Sequence, residues 1–412
     1  MKKKIYVKAP CLSQSGYGEQ SRFALRALRS KEDIFDIYIE AIPWGQTGWI
    51  WEDNEFKNWV DKTIEKTAVA AGQQTLMPDI SLQITIPNEW SRIAPINVGY
   101  TAGIETSHVA PVWLQKGNEM DKILVVSEHA KSSYVNTVAN AKNQQTGETF
   151  DYKLETPVEV VHERTVIDEP ENIEGFDLTT DFNFLVVGQY GPRKNLDNTI
   201  KWWVEEFFDQ DVGLVLKCSM MNNSIIDRQR IQQKVESILA KYEDRKCKVY
   251  VLHGDLTNGQ MAKLYTHDKI KCLINIAHGE GFGLPLFEAA SLGLPIVTVG
   301  WSGQQDFLVH NGKNYFTDVE YTLKPISDNS VWDGVLERGS LWAYAEQGSY
   351  KMALRRVKNN WEKAKNLALE LQEIVNKEFS KEKLYEQFCD SIYKPSTEYL
   401  DWMNELDDAE EL

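Results

Sequence analysis

The stretch from His278 to Glu288 reads HGEGFGLPLFE, and it decides the fold of the second half of the chain. A strand-like apolar run, Cys272–Ile276, comes directly before it, and a helical pattern, Leu286–Leu292, begins inside it. The glycines at 281 and 283 allow close approach of the backbone, and the amides that open a helix attract anions such as a diphosphate. Strand, glycine loop and helix in this order predict a parallel α/β sheet with a ligand site at its carboxyl edge.

The same alternation of apolar runs and amphipathic stretches extends along most of the chain, which is the βαβ pattern of parallel sheets. In the first half it predicts strands at Lys4–Lys8, Ile34–Ile42, Asn97–Thr101, Lys122–Ser127 and Glu159–His162, with helices at Glu19–Ser30 and Ser132–Ala141. In the second half it predicts strands at Phe182–Val187, Val212–Cys218, Lys248–Leu252, Cys272–Ile276 and Pro295–Val299, with helices at Asn195–Phe208, Ile225–Tyr242, Gly259–His267, Leu286–Leu292, Tyr350–Ile374 and Glu378–Tyr393.

The pattern breaks once, at Asp168–Asp181, which is acidic, contains proline and glycine and lacks periodicity. We interpret this stretch as a linker between two Rossmann-like modules. The predicted boundaries are a first domain at 1–167, the linker at 168–181, a second domain at 182–375, a separate helix at 376–394 and an acidic tail at 395–412. From Ser396 to Leu412 there are seven acidic residues and no basic ones, which is typical of a solvated terminus.

Composition excludes several classes of protein. The 412 residues are 42% hydrophobic and 26% charged, as in globular proteins, and no apolar run approaches the roughly 20 residues that span a bilayer. Five scattered cysteines without a CxxC pair favour a reducing compartment, so we expect a cytoplasmic protein, in the host cytoplasm if the chain is viral. The net charge of −16 disfavours a polyanion partner, although residues 1–165, with 18 basic and 21 acidic residues, are nearly neutral.

Glu280 and Glu288, with seven residues between them inside EGFGLP and the following helix, form an E-x7-E motif. This motif resembles that of retaining glycosyltransferases of the GT4 type, the glycosyl transferases group 1, which have the GT-B fold. The similarity extends to Gly303 and Asp306, where the family has glycines and an acidic residue. The resemblance implies two Rossmann-like domains facing across a cleft, an acceptor-side domain first and a nucleotide-sugar domain second, with the helix at 376–394 crossing back to the first domain.

A second segment, Val187–Asn195 (VGQYGPRKN), is similar to the family's G-R-x-x-x-x-K-[GN] segment, whose basic side chains hold the donor diphosphate. Gly188, Lys194 and Asn195 match, whereas Gln189 stands where the family usually has arginine. Arg193 is the candidate substitute for that charge. The alternatives are weaker activity, a different donor, or a basic turn on the surface.

Two loops of the first half are further candidates. Gly16 and Gly18 in SQSGYGE look like the glycine loop that faces the donor phosphates in GT-B enzymes, and the alternative is a tight turn that needs glycine. After the Asn97–Thr101 strand, Glu105 and His108 are candidates for contact with the donor sugar, and the alternative is a capped helix start with a bystander histidine. Lys217 is assigned to the nucleotide cleft by its position alone.

The resemblance also implies how the site works. Lys194, with Arg193, would neutralise the leaving diphosphate, and the backbone at Gly281, Phe282, Gly283 and Leu284 would hold the donor sugar and phosphate. Glu280 would orient the sugar hydroxyls and Glu288 would bind the ribose. The donor is then a nucleotide-diphosphate sugar, with no tightly bound cofactor and no metal. The DxD-like triplet at Asp209–Asp211 precedes a strand instead of following one, so we interpret it as a solvated turn.

The acceptor stays open between a glycan, a lipid-linked sugar, a modified base of viral DNA, and a protein or small molecule. Trp44, Trp49 and Trp51 lie in a glycine-containing segment, with Trp59 nearby, and such rings can stack on sugars or nucleobases or can pack an irregular insertion. Three other classes remain: an inactive or binding-only relative, because of Gln189; a sugar-nucleotide epimerase; and, least favoured, an NAD-dependent enzyme, because Gly16 and Gly18 lack a third glycine.

Overall fold

The computed structural model describes residues 2–143 and 145–395. The first sheet consists of β1 (Lys3–Ala9), β2 (Phe35–Ala41), β3 (Ile80–Gln83), β4 (Ile96–Thr101), β5 (Lys122–Val125) and β8 (Val158–Val160). Its strands lie in the order β2-β1-β3-β4-β5-β8, and all neighbours are parallel. In β1, Ile5, Val7 and Ala9 are fully buried while the residues between them are partly exposed, as the alternation of a strand requires.

Helices cover this sheet, and three of the four begin with a polar cap, whereas the third begins with Pro111. They are α1 (Gly16–Arg29), α2 (Glu55–Gly72), α3 (Pro111–Gly117) and α4 (Glu128–Val135), and an antiparallel hairpin of β6 (Ala139–Lys142) and β7 (Thr149–Tyr152) follows α4. The Ser15 side chain accepts a hydrogen bond from the Gly18 amide and starts α1, and Asn54 starts α2 in the same way. The apolar face of α1, including Phe23 and Leu25, is buried in the core.

The second sheet has the same architecture. Its strands are β9 (Asn183–Gln189), β10 (Gly213–Ser219), β11 (Lys248–Leu252), β12 (Ile270–Asn275), β13 (Ile296–Val299) and β16 (Thr317–Val319), in the parallel order β11-β10-β9-β12-β13-β16. The helices are α5 (Leu196–Phe207), α6 (Ile225–Leu239), α7 (Asn258–Thr266), α8 (Leu284–Ser291) and α9 (Gln305–Leu308). Two small antiparallel pairs complete it: β14 (Val309–His310) with β15 (Lys313–Asn314), and β17 (Tyr321–Pro325) with β18 (Leu341–Ala345).

The chain ends its described part with α10 (Gln347–Asn359), α11 (Trp361–Glu378) and α12 (Lys381–Ile392). Helix α12 packs on α1 of the first domain, where the Phe388 ring lies 5.6 Å from Phe23 and 5.3 Å from Tyr100. Lys122 at the start of β5 donates a hydrogen bond of 2.8 Å to the Ser391 carbonyl. The predicted fold of two Rossmann-like domains, with a C-terminal helix that crosses back to the first, is confirmed.

Two predicted helices are wrong in their bounds. The helix predicted at Ser132–Ala141 instead begins at Glu128, because Ser127 caps it, and ends at Val135, after which β6 pairs with β7. The single helix predicted at Tyr350–Ile374 is two helices, because Asn360 leaves the helical conformation at φ −131° and ψ 46°. Its side chain also donates to the Arg356 carbonyl, the competition with the backbone that makes asparagine a weak helix former.

Between the two sheets, residues 168–181 contain neither helix nor strand, although Ile173 is buried. The predicted domain boundaries stay a prediction, and the acidic tail from Ser396 onward lies outside the described residues. None of the helices in the described part combines the length and the apolar character that crossing a membrane requires.

Candidate active site

The glycine loop between β12 and α8 is shaped by contacts that no larger residue would permit. Gly283 adopts φ +97°, a left-handed conformation that favours glycine. A Cβ on Gly281 would lie 2.6 Å from the Ala102 carbonyl oxygen of the first domain, and a Cβ on Gly303 would lie 1.8 Å from the Gly281 oxygen. The sequence therefore places glycines where the two domains, and the two loops, come into close contact.

Glu280 occupies the centre of this loop, and its side chain is almost fully buried. Its carboxylate accepts hydrogen bonds from Lys194 Nζ at 2.6 and 2.9 Å, from Arg193 Nη1 at 2.9 Å and from Asn275 Nδ2 at 2.8 Å. Burial alone would raise the pKa of Glu280, but the two cations outweigh it and lower the pKa to about 2. The carboxylate is therefore ionised throughout the physiological pH range.

Arg193 extends this network to the first domain. Its guanidinium also lies 3.1 Å from Glu105, which follows β4. Burial opposes its charge, but Glu105 and Glu280 raise the pKa of Arg193 above its ordinary value. Two carboxylates and two cations thus form one charge-balanced cluster, which we call the Glu280 cluster: Glu105, Arg193, Lys194 and Glu280. An anionic ligand can bind these cations only by competing with the carboxylates.

Further contacts hold the two domains together beside this cluster. Ser127 Oγ donates a hydrogen bond of 2.6 Å to the Gly281 carbonyl, and Asp306 Oδ2 accepts one of 2.8 Å from the Glu128 amide. Asp306 thereby stabilises the first turn of α4 from the opposite domain. His162 Nδ1 lies 3.7 Å from the same carboxylate. The two domains therefore touch directly, and a ligand would reach the space between them only after these contacts rearrange.

The remaining predicted residues of the second domain bond partners outside the cluster. Glu288 Oε2 accepts a hydrogen bond of 2.7 Å from the Tyr265 hydroxyl, and burial raises the pKa of Glu288 to about 7. Lys217 donates to the Gly254 carbonyl at 2.6 Å. Gln189 points away from the cluster, since its exposed amide donates to the Met220 carbonyl at 2.6 Å.

Two predicted residues, Asn195 and Phe282, have visible structural tasks. Asn195, at φ +53°, connects the turn at Pro192–Lys194 to α5 and donates to the Ile276 carbonyl. The Phe282 ring is buried against Phe287 and Phe307, so only its backbone is available to a ligand.

The surroundings differ among four further predicted residues: Gly16, Gly18, Gly188 and Leu284. Gly18 is needed for packing, since a Cβ there would lie 1.9 Å from the Ser13 oxygen, whereas Gly16 has open space beside it. Gly188 packs against the aliphatic part of Lys194, and Leu284 is the first residue of α8.

His108 lies outside the Glu280 cluster, with Nδ1 3.0 Å from Ser107 Oγ. The structure thus brings together four of the five predicted catalytic residues. It also adds two that motif reading missed: Asn275, which holds the Glu280 carboxylate, and Ser302, whose Oγ accepts from the Glu280 amide at 2.9 Å. Neither belongs to a motif, and only their places, at the end of β12 and shortly after β13, could have singled them out.

The predicted tryptophan group is divided. The Trp44 ring packs on Tyr17 at 4.4 Å, and Trp49 and Trp51 are exposed, whereas Trp59 lies in α2 against Phe56. In residues 2–143 and 145–395, no three His, Cys, Asp or Glu side chains come together as a metal site would require.

Residues 168–322, which contain the Glu280 cluster except Glu105, match the model of the family described as glycosyl transferases group 1. No curated protein matches the chain. The fold of the group 1 domain and its N-terminal partner is the GT-B fold, as the comparison with solved structures shows.

Three such structures cover nearly the whole chain at low identity. Anabaena HepE, in complex with UDP and glucose, is 13% identical at a TM-score of 0.58, covering 94% of this chain and 99% of its own. Sucrose-phosphate synthase from Thermosynechococcus elongatus is 12% identical at 0.62, covering 94% and 98%. A trehalose-6-phosphate structure from E. coli, bound with UDP-2-fluoro glucose, is 10% identical at 0.58, covering 95% and 99%.

Proposed function

We propose that the protein transfers a sugar from a nucleotide-diphosphate sugar to an acceptor, with retention of configuration at the anomeric carbon. The observation that carries this proposal is the Glu280 cluster. It places two partly buried cations at the carboxyl edge of the second sheet, beside the start of α8 and inside the segment that matches the group 1 model. The UDP and glucose bound by HepE support a nucleotide sugar as the donor.

Lys194 and Arg193 are the groups that would stabilise charge on the departing diphosphate, because that charge grows as the anomeric C–O bond breaks. Their present partners are carboxylates, so donor binding exchanges Glu280 or Glu105 for phosphate oxygens. Glu280 is then free to accept hydrogen bonds from sugar hydroxyls, as the family resemblance implies, while Glu288 accepts from the ribose. The acceptor oxygen bonds the anomeric carbon on the face that the diphosphate leaves, and its proton passes to the departing phosphate oxygen.

Glutamine at position 189, where the family usually has arginine, fits this scheme because Arg193 supplies a second positive charge beside Glu280. Both donate to the same Glu280 carboxylate, so a diphosphate that displaces this carboxylate meets two positive charges. We further propose that the protein acts without a metal and in the cytoplasm. The five cysteines, all unpaired and buried, support a reducing compartment.

A binding-only relative is the second candidate, and Gln189 is the observation that favours it. Such a protein binds the nucleotide sugar without turnover.

The test is release of nucleoside diphosphate from UDP-, GDP-, ADP- and CDP-sugars with a glycan acceptor panel, in EDTA and in Mg²⁺, with Lys194→Ala as the inactive control. Metal-independent release that Lys194→Ala abolishes, and an NMR signal of the retained anomer, are expected. Tight donor binding without release of nucleoside diphosphate, whichever acceptor is present, supports the binding-only candidate. Loss of activity in EDTA contradicts metal independence.

A further inference from the structure

A hairpin of the second domain reaches across to the first domain. It consists of β17, β18 and the loop 326–340 between them, and we call residues 321–345 the arm. The segment that matches the group 1 model ends at residue 322, so nearly the whole arm lies outside it. The family resemblance therefore assigns the arm no role, and its role has to be inferred from its own contacts.

The base of the arm is fixed in the second domain. Ala343 and Ala345 of β18 are buried in the apolar core around β9 and α5. The Ala343 amide donates to the His278 carbonyl at 3.0 Å, and His278 Nδ1 lies 2.8 Å from the Ala343 carbonyl oxygen. The His278 ring also stacks on Trp342 at 5.3 Å. Since His278 begins the loop that carries Glu280, the base of the arm is bonded directly to that loop.

The tip of the arm, residues 334–336, is buried in the other domain. Val335 is 7% exposed and belongs to the apolar cluster of the first domain that contains Trp90 and Trp113. The Gly334 carbonyl accepts a hydrogen bond of 2.9 Å from Asn88 Nδ2, and Asn88 Oδ1 accepts one of 2.6 Å from the Trp113 indole. Asn88, Trp90 and Trp113 thus form a recess for the tip, which we call the socket.

The loop of the arm enters the socket as a preformed turn. The Trp332 amide donates to the Leu336 carbonyl at 3.0 Å, and the Leu336 amide donates to the Trp332 carbonyl at 2.7 Å. The Trp332 side chain remains 60% exposed, so the loop buries the smaller Val335 in its place. Nearer the base, the Leu341 amide donates to Ser107 Oγ of the first domain at 3.0 Å. The contact between the arm and the first domain is therefore selective.

These contacts determine what the tip can do when the two domains move apart. The strands of the arm are paired over their whole length, from Tyr321 opposite Ala345 to Pro325 opposite Leu341. The tip therefore follows the second domain, to which the base is bonded, and separation of the domains withdraws Val335 from the socket. Withdrawal exposes an apolar side chain to water, which opposes opening.

We propose that the tip of the arm is a latch, which holds the two domains closed and opens the path to the Glu280 cluster when it leaves the socket. The latch concerns the closed state of the ligand-free protein, so it does not rest on the proposed transferase function. Its effect on ligand entry does rest on that function, because the ligand expected to enter is a nucleoside diphosphate.

The first experiment measures the radius of gyration of the ligand-free full chain by small-angle X-ray scattering. Val335→Asp should increase the radius, because a carboxylate without a partner is unfavourable in an apolar socket. Leu323→Asp makes the same change at a 42% exposed position of β17 and should leave the radius unchanged. An unchanged radius in Val335→Asp, with native circular dichroism, would overturn the proposal, as would an equal increase in both variants.

The second experiment locks the tip in the socket. A Cβ on Gly334 would lie 3.6 Å from Val112 Cγ1 of the first domain, so the double variant Val112→Cys/Gly334→Cys places two thiols within reach of a disulfide. The association rate of the nucleoside diphosphate that binds the wild type is measured by stopped flow before and after reduction of one sample. Any strain of cysteine at the Gly334 φ of +76° is then present in both states.

We expect association to be at least tenfold slower in the oxidised double variant than after its reduction, because the locked state removes the open fraction. Gly334→Cys alone is the control and should associate equally in both conditions. Equal rates in the oxidised and reduced double variant would show that a ligand enters while the tip stays in the socket, and would overturn the latch.

The two experiments separate this proposal from the proposed function. If no diphosphate binds the wild type, the transferase proposal is contradicted, and the scattering result alone decides the latch. If a diphosphate binds but neither the radius nor the association rate responds, the latch alone is wrong.

Discussion

Replacing the buried Glu280 by glutamine keeps the shape of the side chain and removes the charge that balances two partly buried cations. The pKa of Glu280 lies at about 2 against an ordinary 4.5, so its ionised form contributes about 3 kcal/mol to the free energy of unfolding at neutral pH. Removal of one partner from a buried ion pair costs a similar amount, about 3–5 kcal/mol. We therefore expect Glu280→Gln to lower the free energy of unfolding at pH 7 by about 3 kcal/mol.

The pH dependence of this loss has a defined sign. A lowered pKa stabilises the folded state above the unfolded-state value of about 4.5, and the contribution disappears as the pH falls toward 2. The free energies of unfolding of wild type and variant, measured with urea, should therefore show their whole difference at pH 7. This difference should shrink as the pH falls below 4.5. Glu174→Gln is the matched control, because Glu174 is exposed and its side chain bonds no described residue, and it should change nothing.

The same variant separates structure from catalysis. With the carboxylate charge gone, Lys194 and Arg193 are free to bind phosphate, so the affinity for a nucleoside diphosphate should stay equal or rise while sugar transfer is lost. A variant as stable as the wild type at pH 7, or one that loses diphosphate affinity together with its charge, would refute this reasoning.

Three further predictions concern Gln189, Asp306 and Glu163. Gln189→Arg should change stability by no more than about 0.5 kcal/mol, because the Gln189 side chain is exposed, and it should leave diphosphate affinity equal or tighter by calorimetry; weaker binding would show that the segment is misaligned. Asp306→Ala should lower the free energy of unfolding in urea by about 1 kcal/mol, because the hydrogen bond to the Glu128 amide is lost. It should also raise the radius of gyration measured by small-angle scattering. An unchanged radius would mean that other contacts suffice to keep the two domains together. Burial, and next the charge of Glu19, raise the pKa of Glu163 to about 8. The free energy of unfolding of the wild type should therefore fall as the pH rises from 4.5 through 8. Glu163→Gln should match the wild type at pH 4 and exceed it by at least about 2 kcal/mol at pH 9, whereas equal stability at both pH values would contradict the raised pKa.

The sequence predicted strands and helices well where burial follows a regular apolar period, as in β1 or α5. It missed α2 because the buried face of that helix consists of Val60, Thr63 and Thr67, two of them polar. It missed β3 because this strand buries Ser81 and Gln83, which hydrogen-bond Asn97 and the Ser91 carbonyl. Polar side chains that are satisfied inside the fold leave no hydrophobic pattern to read.

The candidate site was predictable to the extent that its residues lie in contiguous motifs. Glu280 and Lys194 are found in two loops that parallel topology brings to one edge of the sheet. The direct contact between the domains, through Ser127 and Asp306, depends on how two separate units meet, which no local pattern encodes. The position of Arg193 between Glu105 and Glu280 also depends on how the two domains meet, because Glu105 lies in the first domain and Glu280 in the second.

The diphosphate site is tested most directly by calorimetric titration of UDP, GDP, ADP and CDP into the wild type and Lys194→Ala, each in EDTA and in Mg²⁺, with the corresponding monophosphates alongside. We expect that one diphosphate binds without metal, more tightly than its monophosphate, and that Lys194→Ala weakens the binding of this diphosphate at least tenfold. Binding that is equal for monophosphate and diphosphate, or equal in wild type and Lys194→Ala, would contradict the claim that the Glu280 cluster is a diphosphate site.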